Sequence, residues 1–443
     1  MPVLRSTPGA STGECSMGGA RHLLATTPVV LLCLCAACPA VASGLGGSMI
    51  PQQRLTDVEV TTSLSYDSNF PRIGPDLASR EGLRLADETF TPAILVTLAR
   101  PIGPAMLFLK GNGGYDFHRV NTVRNYARYE VDGGGGRRFG ECEGAVTGTY
   151  SQGQTDLALL VNGGTGRAIL KNTLTQENVS FSSTCGRSIG LAPSLSVTQS
   201  WSSNSEATQR NIDNQAFVVN AGLGYQAPGF GVASIFGVYQ SAGYPNRAYS
   251  NLLSGSYGYT MYAGGLRYER HIGVRLDAAL SGSYTSLVSK TQLLVGGVPY
   301  FAPTSTNFGG LTFSGDVSYR LTSRLLFHVN ASRATMPSNR SDADYSVNES
   351  YQADATYRLG TRISIRIQAD NRGESYHGIV PIKNAIYTNI AKSSTSEVVA
   401  SANYVMSRRL SFMLSVGDAE RRASPSAFSY SSTTVGLTAR ATF

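Results

Sequence analysis

The sequence predicts an all-β chain: a transmembrane antiparallel β-barrel of about 18 strands, with about 16 as the alternative, short turns at one end and long loops at the other. Three observations predict it. The last stretch of the chain alternates strictly between apolar and polar residues. Charged residues alternate with apolar ones at period two along most of the strands before it. A hairpin of the form Tyr, short turn, Arg recurs toward the end.

From 433 to 443 the odd positions read Thr, Val, Leu, Ala, Ala, Phe, and the even ones Thr, Gly, Thr, Arg, Thr. Successive side chains of a strand point to opposite faces, so this is one apolar and one polar face. A barrel's final strand must pair with its first. Val435, Leu437, Ala439, Ala441 and Phe443 therefore form the expected lipid face. An apolar strand ending in Phe resembles the assembly signal of bacterial outer-membrane proteins.

Composition agrees. Only 15% of the 443 residues are charged, while Gly (48) and Tyr (23) are plentiful, and no run after the leader reaches the length of a membrane helix. Alternating lumen and lipid positions cancel in any window, which keeps mean hydropathy near neutral. The net charge is +8, but the basic residues are scattered without aromatic spacing, so no nucleic-acid partner is expected.

The N-terminus reads as a secretory leader over 1–42. Arg5, Arg21 and His22 precede the apolar run 23–37, and Ala40-Val41-Ala42 offers a cleavage site before Ser43. Translation starting at Met17 would give a leader of ordinary length, and the run 35–38 lacks the Leu of a lipoprotein site. A short segment, 43–54, precedes the barrel over 55–443, so no plug domain is expected. Of six cysteines, only Cys142 and Cys185 follow the leader. Both fall at short turns one hairpin apart, and a disulfide at that rim is expected.

Taken in order, the first strand runs over 58–66 and returns along 90–98 to a Pro-Ile-Gly-Pro turn at 101–104. The next places Leu107, Leu109, Tyr115 and Phe117 on one face, with Lys110, Asn112 and Asp116 on the other. Arg128, Glu130 and Asp132 alternate with Tyr129 and Val131. A wet lumen tolerates such charges where a dry core would not. The four glycines 133–136 lie within strand pattern and read as a close-packed or bent segment, not a phosphate loop. The runs around Val146 and Val179 are short. Strands then follow over 189–201, 217–225, 233–239, 262–268, 274–284 and 311–319.

Three hairpins repeat. Tyr319-Arg320-Leu321-Thr322-Ser323-Arg324, Tyr357-Arg358-Leu359-Gly360-Thr361-Arg362 and Tyr404-Val405-Met406-Ser407-Arg408-Arg409 each end an incoming strand on Tyr and open the outgoing one after Arg. The tyrosines form a lipid-interface girdle and the arginines reach headgroup level. The opposite connections, 286–307, 333–346 and 372–394, are long and polar.

No catalytic set stands out, so no enzyme is expected. His118, His271, His328 and His377 lack paired metal spacing, and no metal or cofactor is expected. His328 and Ser332 share inward parity, whereas an outer-membrane phospholipase builds its triad outside the barrel. The lumen is the candidate site. Lys110, Arg128, Glu130, Asp132, Arg275, Asp277, Asp316, Arg366 and Asp370 are its expected lining. Mixed signs suit a wide, wet channel for a polar solute, or cross-strand ion pairs that brace the wall.

Ser63-Leu64-Ser65-Tyr66-Asp67-Ser68-Asn69-Phe70 resembles the opening of the β-barrel porin 2 group, which includes outer-membrane proteins encoded with exopolysaccharide synthesis genes. The Tyr-to-Arg hairpins and Phe443 fit the same layout. The resemblance implies export or assembly of a surface exopolysaccharide. A general or sugar-selective porin is the alternative, and an outer-membrane enzyme or adhesin is the third reading. The expected location is the bacterial outer membrane, reached through the leader. The expected partners are the bilayer, the barrel-assembly machinery and, by resemblance, polysaccharide and periplasmic export components.

Overall fold

A computed structural model of the chain describes residues 54–155, 171–186, 189–247, 253–256, 258–290, 292–295, 298–300, 307–338, 340, 343, 345–377, 391–424 and 426–443. The expected leader, and all but the last residue of the segment after it, lie outside these.

In chain order the strands are β1 (Leu55–Asp67), β2 (Asp87–Ile102), β3 (Ala105–His118), β4 (Tyr126–Phe139), β5 (Cys142–Gln154), β6 (Thr173–Cys185), β7 (Gly190–Asn204), β8 (Asn214–Ala227) and β9 (Gly231–Gly243). They continue as β10 (Leu253–Ser256), β11 (Gly258–Ile272), β12 (Leu276–Ser289), β13 (Gln292–Val295), β14 (Val298–Tyr300), β15 (Phe308–Arg320) and β16 (Leu325–Pro337). The last are β17 (Tyr345–Leu359), β18 (Ile363–His377), β19 (Lys392–Val405), β20 (Leu410–Ser424) and β21 (Tyr430–Thr442).

Eighteen of these form one sheet in which each strand pairs with its chain neighbours, skipping β10, β13 and β14, which make a separate three-stranded sheet. The large sheet closes: β1 pairs with both β2 and β21, from Glu59↔Thr442 to Asp67↔Thr434. Phe443 N–H donates to Val58 O (2.8 Å) and extends that seam. The barrel of 18 strands is as the alternation predicts. The runs at Val146 and Val179 are full strands, β5 and β6. Their Ser, Thr and Gln content hides them from an apolar count, but both pair along their length.

A 13-residue strand rises about 33 Å at 3.3 Å per residue and roughly 40° tilt, enough to span the apolar zone. No described helix is long and apolar enough to cross a membrane. Large apolar side chains crowd the outer face: Leu64, Ile94, Leu109, Val131, Leu266, Leu280, Leu414 and Leu437 are all exposed there. Tyr225, Tyr319, Tyr357 and Tyr404 mark the short-turn edge of this belt, and Tyr66, Tyr262, Tyr284 and Tyr351 the loop edge. The run 133–136 is close-packed, paired on both sides. Phe108 on β3 lies over Gly134, where an added Cβ would sit 2.4 Å from Val146 O.

Candidate functional site

The inner face is polar, and several of its charges are paired. Near the short turns a chain of side chains crosses four strands. His328 (β16) places Nε2 2.8 Å from Asp316 Oδ2 (β15) and Nδ1 3.0 Å from Asp354 Oδ1 (β17). Arg366 (β18) donates to the same Asp354 oxygen at 2.9 Å, and Asn330 donates to Asp316 at 3.3 Å. Period-two parity puts all five on one face, and registers Asp316↔Asn330 and His328↔Asp354 bring them together. Both ring nitrogens of His328 lie against carboxylates, so neither is left for Ser332.

The other expected lining residues divide. Lys110↔Asp132 and Asn112↔Glu130 are cross-strand partners, with Arg128 opposite Gly114, so these four charges share the inner face of β3 and β4. Asp370 pairs with Arg372 at 2.7 Å on β18. Asp277 has inner parity but sits at the short-turn rim, 2.6 Å from His271 Nδ1. Arg275 is a correction. It lies in the turn before β12, because Gly273 takes φ +59 and the outgoing strand opens only at Leu276. Two further inward pairs escaped the sequence reading, Glu59 with Arg440 and Arg267 with Glu269, while Arg333 and Glu349 pair on the opposite, outward parity of β16 and β17. Glu59 looked like an isolated residue because Arg440 lies at the far end of the sequence.

At the loop end two described segments fold into the lumen. The β1–β2 connection turns inward through helix α1 (Pro75–Arg80). Its Ile73, Leu77 and Leu83 bury against Ala343, Tyr376 and Phe428. Asp67 anchors its start, accepting from Asn69 N–H (2.8 Å) and from Ser432 Oγ. Asn69 Nδ2 in turn donates to Ile73 O (3.2 Å). Beside it, Arg119 pairs with Glu88, whose hydrogen bonds raise the arginine's pKa above its usual value.

The outer end of the β16–β17 hairpin also leaves the wall. β15 and β16 pair only from Phe313↔Arg333 to Arg320↔Leu326, while β16 and β17 stay paired up to Pro337↔Tyr345. Thr335, Tyr345 and Val347 have the parity of the lipid-facing Val329 and Tyr351, yet all three are buried. Thr335 Oγ1 donates to Met261 Sδ (3.0 Å) on the inner face of β11. Tyr345 and Val347 pack with Tyr259, Met261 and Leu287 in one cluster, flanked by Phe308. The hairpin therefore lies across the inside of the barrel. A latch holds it there. Tyr244 OH accepts from Ser338 N–H (2.8 Å), and Arg247, stacked 3.7 Å over the Tyr244 ring, donates to Arg340 O (2.9 Å) and Ala343 O (3.1 Å).

Cys142 and Cys185 are cross-strand partners at the rim, joined with S–S 2.05 Å. Among the described residues, no three His, Cys, Asp or Glu side chains are grouped to hold a metal.

No protein-family model matches the chain, and no curated protein does. Solved structures are similar at low identity. The outer membrane protein OpdK of Pseudomonas aeruginosa has 14% identity and TM-score 0.43, over 88% of this chain and 99% of that one. A BenF-like porin from Pseudomonas fluorescens has 12% and 0.45, over 88% and 98%. The FrpB iron transporter of Neisseria meningitidis has 10% and 0.45, over 83% and 62%. The fold of this chain stands on its own strand pairing, and these likenesses add nothing about its cargo.

Proposed function

We propose that the chain is a porin-type channel of the bacterial outer membrane, passing polar solutes through a narrowed, charge-lined lumen. The observation that carries this is the closed barrel with an apolar outside and ion-paired inside. A closed barrel satisfies its backbone in lipid, and a polar interior holds water. On this reading the short turns are periplasmic, the long loops face outward, and β21 engages the barrel-assembly machinery.

Exopolysaccharide passage is the second reading, and it rests on Tyr66-Asp67-Ser68-Asn69. Those residues have a structural role, since Asp67 and Asn69 fold the β1–β2 connection. The filled loop end also suits solutes smaller than a polymer. Purified, heat-modifiable protein in a planar bilayer should give stepwise currents. Silence from correctly folded protein would sink the channel reading. A deletion strain that synthesises polysaccharide but fails to surface it would restore the second.

A further inference from the structure

The short-turn rim carries an arc of positive charge that no carboxylate answers. One arginine immediately precedes each of four outgoing strands: Arg275 before β12, Arg324 before β16, Arg362 before β18 and Arg409 before β20. All four are exposed. The turns are stitched side by side through these residues' carbonyls. Arg275 O accepts from Arg320 N–H (2.7 Å), Arg324 O from Arg358 N–H (2.8 Å), Arg362 O from Val405 N–H (2.8 Å) and Arg409 O from Thr442 N–H (2.9 Å). Neighbouring arginines are two strands apart, roughly 12 Å along the rim for strands about 4.8 Å apart and tilted about 40°. Arg320, Arg358 and Arg408 add charge to the same arc.

On the inner wall, by contrast, Arg366, Arg372, Arg440 and Arg267 each meet an acid. Among the described residues none of the seven rim arginines does, and Asp277 at the same rim is taken by His271. The described turns 103–104, 140–141 and 228–230 on the other half carry no arginine within the turn itself; Arg100, Arg137 and Arg138 end the strands beside two of them, with Arg100 on Leu55 O and Arg138 on Glu143.

We propose that this arc draws soluble anionic solutes, carrying carboxylate or phosphate, to the periplasmic mouth. The inference rests on the channel reading and names its substrate class. Lipid headgroups are the competing source of anions, but parity favours the aqueous side. Arg320 and Arg358 follow the even, inward positions of β15 and β17, and the other five sit at or beside the turn tips. Unpaired charge at a channel mouth raises local counter-ion concentration, and it does so most where salt is low.

The test replaces Arg275, Arg324, Arg362 and Arg409 with Gln together, which keeps the stitching carbonyls. In a planar bilayer at about 0.1 M salt, the parent should prefer chloride over potassium by about two- to five-fold, and the variant should lose that preference. At about 1 M salt, where screening is nearly complete, the two conductances should match. A silent parent overturns the channel reading itself. A conducting parent whose selectivity survives the four replacements overturns the arc alone. A variant with unchanged selectivity that loses heat stability only in anionic-lipid vesicles gives the arc to lipid headgroups and equally overturns the proposal.

Discussion

Two seams of this barrel begin alike and end differently. At the β21–β1 seam the ladder runs from Glu59↔Thr442 to Asp67↔Thr434, and the lipid-parity side chains Val435 and Leu437 stay outside. At the β15–β16 seam pairing stops at Phe313↔Arg333, and lipid-parity side chains turn into the lumen. The same alternation permits both. An apolar face needs an apolar neighbour, and lipid or an apolar inner wall can supply one. Tyr259, Met261 and Leu287 make the inner wall apolar opposite the hairpin, while Thr61, Ser63 and Ser65 keep it polar beside β21. The unzipped edge is tolerated because of its height. Leu311 lies about 21 Å above Tyr319 along a tilted strand, near the loop-side margin of a belt about 25 Å tall. Deeper in lipid, each unpaired peptide group would cost several kcal/mol.

Breaking the β21 seam should have the largest effect. Leu437→Asp sets a charge against lipid, at a cost below the roughly 2–4 kcal/mol of an Arg or Lys at the bilayer midplane. Membrane-inserted protein, measured by heat-modifiable migration, should fall severely, and normal levels would mean that the strand faces elsewhere. The hairpin seam should respond next. Arg247→Ala removes a buried guanidinium that grips two carbonyls of the hairpin's loop and the Asn211 carbonyl beside it, favouring the unlatched hairpin by about 2–3 kcal/mol. Single-channel conductance should rise, with assembly preserved. Cysteines replacing Met261 and Thr335 should crosslink through a short bifunctional reagent, and cysteines replacing Leu311 and Thr335 should not. The reverse pattern would put β16 in the wall along its whole length. The smallest effect belongs to Glu59→Gln. It removes the Glu59–Arg440 pair but leaves the backbone ladder, and the melting midpoint should move by the equivalent of about 1 kcal/mol or less.

Most of the barrel was legible because period-two patterning is a local property. The strands, the short-turn girdle and the inward parity of Lys110, Asp316, Arg366 and Asp370 can be read residue by residue. Arg275 was misplaced by one turn, since nothing but Gly273 marks where the strand begins. The filled loop end was hidden for a different reason. Burial of Thr335 or Tyr345 depends on Met261 and Tyr259, three or four strands away on the wall and far off in sequence. Arg247 stands in a polar loop and binds carbonyls, which have no sequence signature.

The Cys142–Cys185 bond has a use as a record of the chain's history. It closes a loop whose ends are 43 residues apart, at the rim beside the expected periplasm. Thiols of this kind stay reduced in a cytosol and oxidise after export. The redox state of the pair in whole cells therefore dates each molecule. On the outer-membrane reading, reduced chains are those still to cross the inner membrane and oxidised chains those that have crossed, whether or not they have reached a barrel. Trapping thiols during a pulse of synthesis would separate delay in export from delay in insertion, using only residues the protein already carries.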